Sequence, residues 1–260
     1  MEVIIMTILC IRKYNERGRA ALMKKLGIIG GLGPMATAYF LQLVTQMNDA
    51  QTDQEHIEIL LHSKPQIPDR TRYILGQSTE NPMPQMIKVG KELAAQGVEL
   101  IAIPCITAHY FQKELAEYIG VPIINAIEET SFYLANAGIS KVGIMATDGT
   151  IESRLFQKYF GAKGICFILP DSEKQRQVMH IIYKNIKAGR SVDMFLFQDV
   201  AMQLFNSGAQ VVLLACTELS LIKRDYPLGT GFLDVMETLA RRAVITCGHL
   251  KEEYEHLITI

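Results

Sequence analysis

Short apolar runs alternate along the chain with longer segments in which apolar residues recur every three or four positions. The short runs are KLGIIG (25–30), IEILLHS (57–63), VELIAIP (98–104), VPIIN (121–125), KVGIMA (141–146), GICFILP (164–170) and QVVLLAC (210–216). Their length and near-continuous apolar character predict strands buried on both faces. Between them, MPQMIKVGKELAAQG (83–97) and FLFQDVAMQLFNSGA (195–209) carry helical spacing and run into glycines suited to closing a helix. Strand, helix, strand, repeated in this way, predicts parallel sheets covered by helices, an α/β fold.

The pattern occurs twice. LGIIGGLGPMAT (26–37) leads through a helical segment to IEILLHSKP and then to GVELIAIPCITAH, whereas VGIMATDGTIES (142–153) leads to ICFILPDSE and then to GAQVVLLACTELS. Gly27 and Cys105 are nearly as far apart as Gly143 and Cys216. Such duplication predicts two similar parallel-sheet α/β halves. The first domain is expected to comprise 23–121 with 229–260, and the second 122–228, after an extension over 1–22. Ligands of open parallel sheets bind beyond the carboxyl ends of the strands. Cys105 and Cys216 both belong at those ends, and if the halves face each other about a pseudo-twofold axis, the two thiols approach one ligand from opposite sides.

Gly31-Leu32-Gly33-Pro34-Met35-Ala36 fits the dinucleotide fingerprint G-x-G-x-x-[GA]. A dinucleotide site also requires an acidic residue near the end of the second strand. That strand instead ends Leu-Leu-His-Ser and continues Lys-Pro-Gln-Ile-Pro. The motif is better explained as a tight strand-to-helix turn with Pro34 at the first helical position. It would bring the backbone of Gly33, Pro34 and Met35 close to a small carboxylate.

Composition narrows the ligand further. With 26 basic and 27 acidic residues, a net charge of −1 leaves no electrostatic footprint for nucleic acid or an anionic membrane. A small molecule is the expected partner. The five cysteines are far apart and form no C-x-x-C pair, so neither a metal site nor a disulfide framework is expected. VIIMTILCI (3–11) is too short to span a bilayer, and the charges flanking it are the reverse of a signal peptide's. A cytoplasmic location follows as the expectation, with Cys10, Cys166 and Cys247 as small buried hydrophobes. Residues 1–22 stand apart from the repeat, and Met23 is the expected natural start; N-terminal sequencing of the native protein should begin there, and a product starting at Met1 would contradict it.

Two acid/base groups on opposite faces of one carbon are the minimum equipment for inverting it without a cofactor. A thiol suits the task, because its reference pKa of about 8.5 can be lowered at a helix N-terminus. Backbone N–H groups following the two cysteines, at Ile106, Thr107, Ala108 and Thr217, are expected to cradle the substrate α-carboxylate. His109 reads as a supporting residue, and Glu218 as either a helix cap or a group that orients the second thiol.

GIIGGLGP, SKPQIPDRT, PCITAH and ACTEL resemble, in order and spacing, the aspartate/glutamate racemase family, whose enzymes work without pyridoxal phosphate. The resemblance runs from about Met23 to the C-terminus. It implies two α/β domains related by pseudo-twofold symmetry with the active site in the cleft between them, catalytic cysteines at Cys105 and Cys216, an arginine for the acidic side chain at Arg70, a cleft lysine at Lys187, a contribution from Gln66 in the proline loop, no cofactor and commonly a homodimer. Ile106 stands where that family more often has asparagine. Glu218 stands where cell-wall glutamate racemases usually have histidine, which points away from that branch and favours aspartate over glutamate. Alternatives are a racemase of wider range, a hydantoin racemase, a maleate-type isomerase, or a non-catalytic amino-acid-binding protein on the same scaffold.

Overall fold

The computed structural model describes residues 23–260; the extension expected over 1–22, including Cys10, lies outside the described residues. The first half runs β1 (Leu26–Gly30), α1 (Pro34–Met47), β2 (Ile59–Ser63), α2 (Arg70–Ile74), α3 (Met83–Ala95), β3 (Leu100–Ala102), α4 (Gln112–Ile119) and α5 (Ala126–Asn136). The second runs β4 (Lys141–Met145), α6 (Asp148–Glu152), α7 (Leu155–Gly161), β5 (Cys166–Ile168), α8 (Ser172–His180), α9 (Met194–Asn206), β6 (Val211–Leu214), α10 (Thr217–Asp225), β7 (Phe232–Asp234) and α11 (Val235–Cys247).

Every strand pair is parallel, in two sheets of order β2-β1-β3 and β5-β4-β6-β7. The expected strand over 121–125 shrinks to a bridge between Ile123 and Ile101, because Pro122 has no N–H with which to extend the ladder. That bridge lies beside β3 as β7 lies beside β6, so the two sheets repeat one plan. β7 itself was not anticipated, since Phe-Leu-Asp is too short to register as a periodic run. The helices α3 and α9 cover the first and second sheets respectively.

The edge strands depart from the expectation of burial on both faces. β2 is only partly buried, with Leu61 38% exposed. Cys166 opens the edge strand β5 and is exposed, not a buried hydrophobe, whereas Cys247 in α11 is fully buried. Among the described residues, no helix is long and apolar enough to cross a membrane.

The halves are joined by an exchange of helices. After Ile123 the Asn125 side chain caps α5, accepting from the Ile127 and Glu128 amides, and α5 packs on α7 of the second half. After β7 the Asp234 side chain caps α11, accepting from the Met236 amide, and α11 packs on α1 of the first half. These two helices also pack on each other, with the Thr130 and Thr238 hydroxyls 2.7 Å apart. Sheet membership therefore changes at Asn125 and Asp234, beyond the boundaries expected at 121 and 228.

At the end of β1 the turn depends on Gly31, whose φ of +90° is left-handed and whose Cβ, if present, would lie 2.5 Å from the Lys64 backbone nitrogen. Gly31→Ala is expected to destabilise the fold by more than about 1 kcal/mol in a denaturant titration; an unchanged midpoint would contradict this account of the turn.

Candidate active site

Cys105 and Cys216 occupy matching places. Each follows the third strand of its sheet in extended backbone and precedes a helical turn, Ile106–Phe111 in one half and α10 in the other. The cysteines are 5% and 6% exposed, and both line one pocket, with Arg70, Thr107, Lys187 and Glu218 around them. Its volume, about 10 Å³, is room for a single water.

Arg70 reaches this pocket from the proline loop and is only 7% exposed. Its Nη1 donates to the Ile67 and Pro68 carbonyls at 3.3 and 3.0 Å, and its Nη2 to the Leu32 carbonyl at 3.0 Å. Nε is buried without a protein partner. Burial opposes the guanidinium charge, but the adjacent Cys105 and Asp69 more than offset it, so the cation is reinforced. Asp69 caps α2 through the Arg72 amide and accepts from the Tyr183 hydroxyl at 3.2 Å, tying the two halves together.

Lys187 follows a π-helical turn, Ile181–Ile186. Its Nζ lies 3.2 Å from Glu218 Oε1 and 5.1 Å from the centre of the Tyr183 ring. The other carboxylate oxygen, Oε2, accepts from Cys216 Sγ at 2.9 Å, and the Glu218 side chain is 5% exposed. Burial disfavours the Lys187 charge, yet Glu218 and the two cysteines outweigh it and hold the ammonium. Burial, then the Glu218 charge, push the Cys216 thiol well above its ordinary range, with Lys187 opposing.

The fingerprint glycine now has a physical reason. A Cβ on Gly33 would lie 3.0 Å from Glu218 Oε1, so this position at the start of α1 makes room for the protein's own carboxylate. Gly33, Pro34 and Met35, the last 61% exposed, line an outer basin of about 800 Å³. Arg70, Lys187 and Glu218, with Leu32 and Asp69, line both cavities.

Of the other residues singled out in the sequence, Ile106, Thr107 and Thr217 line the thiol pocket. Ala108 does not, and its amide donates to the Cys105 carbonyl at 3.0 Å, which removes it from the expected cradle. Gln66 is exposed and lines neither cavity, whereas its neighbour Ile67 lines the basin. His109 is buried and held neutral, its pKa lowered to about 4 by desolvation. Sequence reasoning missed Thr147 and Thr150, whose hydroxyls form a ring with that of Thr107, each contact 2.9 Å. The repeat carried a signal for them, since they align with Gly31 and Pro34. Tyr183 gave no signal. Among the described residues, no cluster of three or more His, Cys, Asp or Glu is placed to hold a metal ion.

Residues 29–243 match the Asp/Glu/Hydantoin racemase family. The broad specificity amino-acid racemase RacX of Bacillus subtilis (strain 168) is 24% identical over 231 residues, covering 85% of this chain and 97% of that protein. The solved Picrophilus torridus aspartate racemase has a TM-score of 0.76 and 30% identity, over 89% of this chain and 97% of the other. Glutamate racemase from Francisella tularensis subsp. tularensis SCHU S4, solved with D-glutamate, shares the fold at a TM-score of 0.59 and 18% identity, over 84% and 79% of the two chains. By sequence and by fold, this chain belongs to the Asp/Glu/Hydantoin racemase family.

Proposed function

We propose that the protein racemises a small acidic amino acid, aspartate ahead of glutamate, without pyridoxal phosphate, using Cys105 and Cys216 as its two acid/base groups. The observation that carries this reading is that both thiols, each at the start of a helical turn in equivalent halves, line one pocket. One sulfur takes the α-proton as the other delivers a proton to the opposite face. Charge then develops on the α-carboxylate, for which the first amides after each cysteine, at Ile106, Thr107 and Thr217, serve as donors. Arg70 and Lys187, both cationic, meet the side-chain carboxylate. The pocket of about 10 Å³ has to widen as the amino acid enters from the basin.

The preference for aspartate is supported by the 30% identity to an aspartate racemase over most of both chains. A second reading, a wider substrate range, is favoured by the outer basin of about 800 Å³, far larger than an aspartate side chain needs. Assembly as a homodimer belongs to the same proposal, on family resemblance.

Chiral chromatography of L-aspartate and L-glutamate incubated with reduced protein, without pyridoxal phosphate, tests the reading. Cys105→Ala and Cys216→Ala are each expected to reduce racemisation by about 100-fold or more; undiminished turnover in either would refute the two-thiol mechanism. Arg70→Ala should lose acidic substrates in preference to neutral ones, and equal losses would contradict its assigned role. Gly33 has a φ of −102°, which alanine tolerates, so Gly33→Ala should fold normally yet lower kcat by roughly a few-fold as Glu218, in contact with Cys216, gives way to the new Cβ. Full activity in that variant would show that the close approach to Glu218 has no consequence.

A further inference from the structure

The chain crosses between the halves twice, and the two crossings are capped by different chemistry. Asn125 starts α5 with a neutral amide, whose Nδ2 donates to the Tyr159 hydroxyl at 2.8 Å. Asp234 starts α11 with a carboxyl group that is fully buried. Its Oδ1 accepts from the Ser220 hydroxyl and from the Met236 amide, each at 2.8 Å, whereas Oδ2 is buried without a partner among the described residues. Three residues farther along each helix, Lys223 of α10 meets Glu237 of α11 at 2.6 Å, and the same ammonium donates to the Leu257 carbonyl at 3.1 Å. Ser220 with Asp234 and Lys223 with Glu237 thus form a two-rung polar seam between the helix that begins at the second thiol and the helix seated on the first half.

One ammonium in this seam serves two buried carboxyl groups. Lys223 touches Glu237, which leaves Asp234 with no cation in contact among the described residues. A buried carboxylate in that position is costly unless it takes up a proton. We propose that Asp234 holds a proton while α10 and α11 are closed on each other, and that its loss loosens the seam and frees the helix behind Cys216 as pH rises. The hydrogen bonds fit a carboxylic acid, with both donors on one oxygen and none on the other. Capping alone requires no charge, since Asn125 does the same for α5. The inference goes beyond the racemase reading, because it concerns how the halves move and not the chemistry between them.

The surroundings set the direction of the response. From α10 come Ser220 and Lys223, while Arg224 pairs with Asp225 and lies 5.4 Å from the centre of the Tyr39 ring. Tyr39 of α1 is buried and faces both Asp234 and Glu237. Tyr254, near the C-terminus, stands close to Glu237. Glu129 of α5 is occupied with Arg242 farther along α11, and β3 brings only apolar residues. Burial, then the Glu237 charge, push the Asp234 carboxyl up to about 7, with Lys223, Ser220 and the Met236 amide opposing. Opening the seam hydrates the group and returns it towards its ordinary value of about 4. A carboxyl whose pKa is higher in the closed state favours closure fully below the open-state value and loses that contribution as pH rises to the closed-state value. Opening therefore becomes easier from about pH 4 to about pH 7 and levels off above it.

Hydrogen exchange at the amides of α10 and the first turn of α11 reads this opening without substrate, when expressed as protection factors that cancel the intrinsic pH dependence of exchange. In the wild type, protection is expected to fall about tenfold or more between about pH 5 and pH 7. In Asp234→Asn, which should cap α11 as Asn125 caps α5, it is expected to stay level. Equal pH slopes in the two proteins would overturn the proposal. Infrared spectra at about pH 6 should show a protonated-carboxyl stretch that is missing from Asp234→Asn, and a spectrum unchanged by the substitution would also overturn it. Glu237→Gln covers the case in which Asp234→Asn does not fold. Removing that second negative charge should move the fall in protection to lower pH, and an unmoved profile would contradict the account. Neither reading depends on turnover, so failure of the racemase reading leaves the result intact.

Discussion

Parallel strands all release the chain at the same edge of a sheet, so two such sheets share a site only when those edges face each other. Here the facing arrangement is held by the exchange of α5 and α11, each leaving its own sheet to pack on the other half. Asn125 and Asp234 begin these helices at equivalent points. Asp234 also accepts from Ser220 in α10 at 2.8 Å, one turn beyond the residue that carries the second thiol. The cap that starts α11 thus helps to hold the helix that positions Cys216.

Facing the sheets creates an electrostatic problem, since charged groups are brought into a pocket with room for one water. Unpaired buried charges are costly. Glu218 is neutralised on one oxygen by Lys187 and hydrogen-bonded on the other by Cys216. Arg70 is solvated by three main-chain carbonyls in place of water. Those carbonyls and the neighbouring Asp69 hold the guanidinium charged beside Cys105. The pseudo-symmetry is broken here: Thr147 and Thr150 close on Thr107 with their hydroxyls, while the residues in the equivalent places, Gly31 and Pro34, line the basin.

The sequence was most informative where a pattern repeated. Six strands, the helices between them and the paired cysteines could be read from apolar runs and from the duplicated LGIIGG and VGIMAT segments. β7 could not, because three residues carry no period, and VPIIN lost its strand to Pro122. Cys166 was misjudged because an apolar run does not reveal whether its strand is central or at an edge. Ala108 and Gln66 failed as ligand candidates for local reasons, a helical-turn hydrogen bond in one and an outward position in the other. The place of Glu218, two residues after a thiol, was visible; its approach to Gly33 depends on how the halves meet, which no local pattern encodes.

The central claim is that two thiols invert an amino acid by proton transfer through opposite faces. Incubating reduced protein with L-aspartate in heavy water, without pyridoxal phosphate, tests it most directly, with deuterium at the α-carbon and the D/L ratio followed together. The account predicts D-aspartate that carries deuterium at the α-carbon as it forms. D-aspartate formed without deuterium, or no exchange with any amino acid offered, would contradict it.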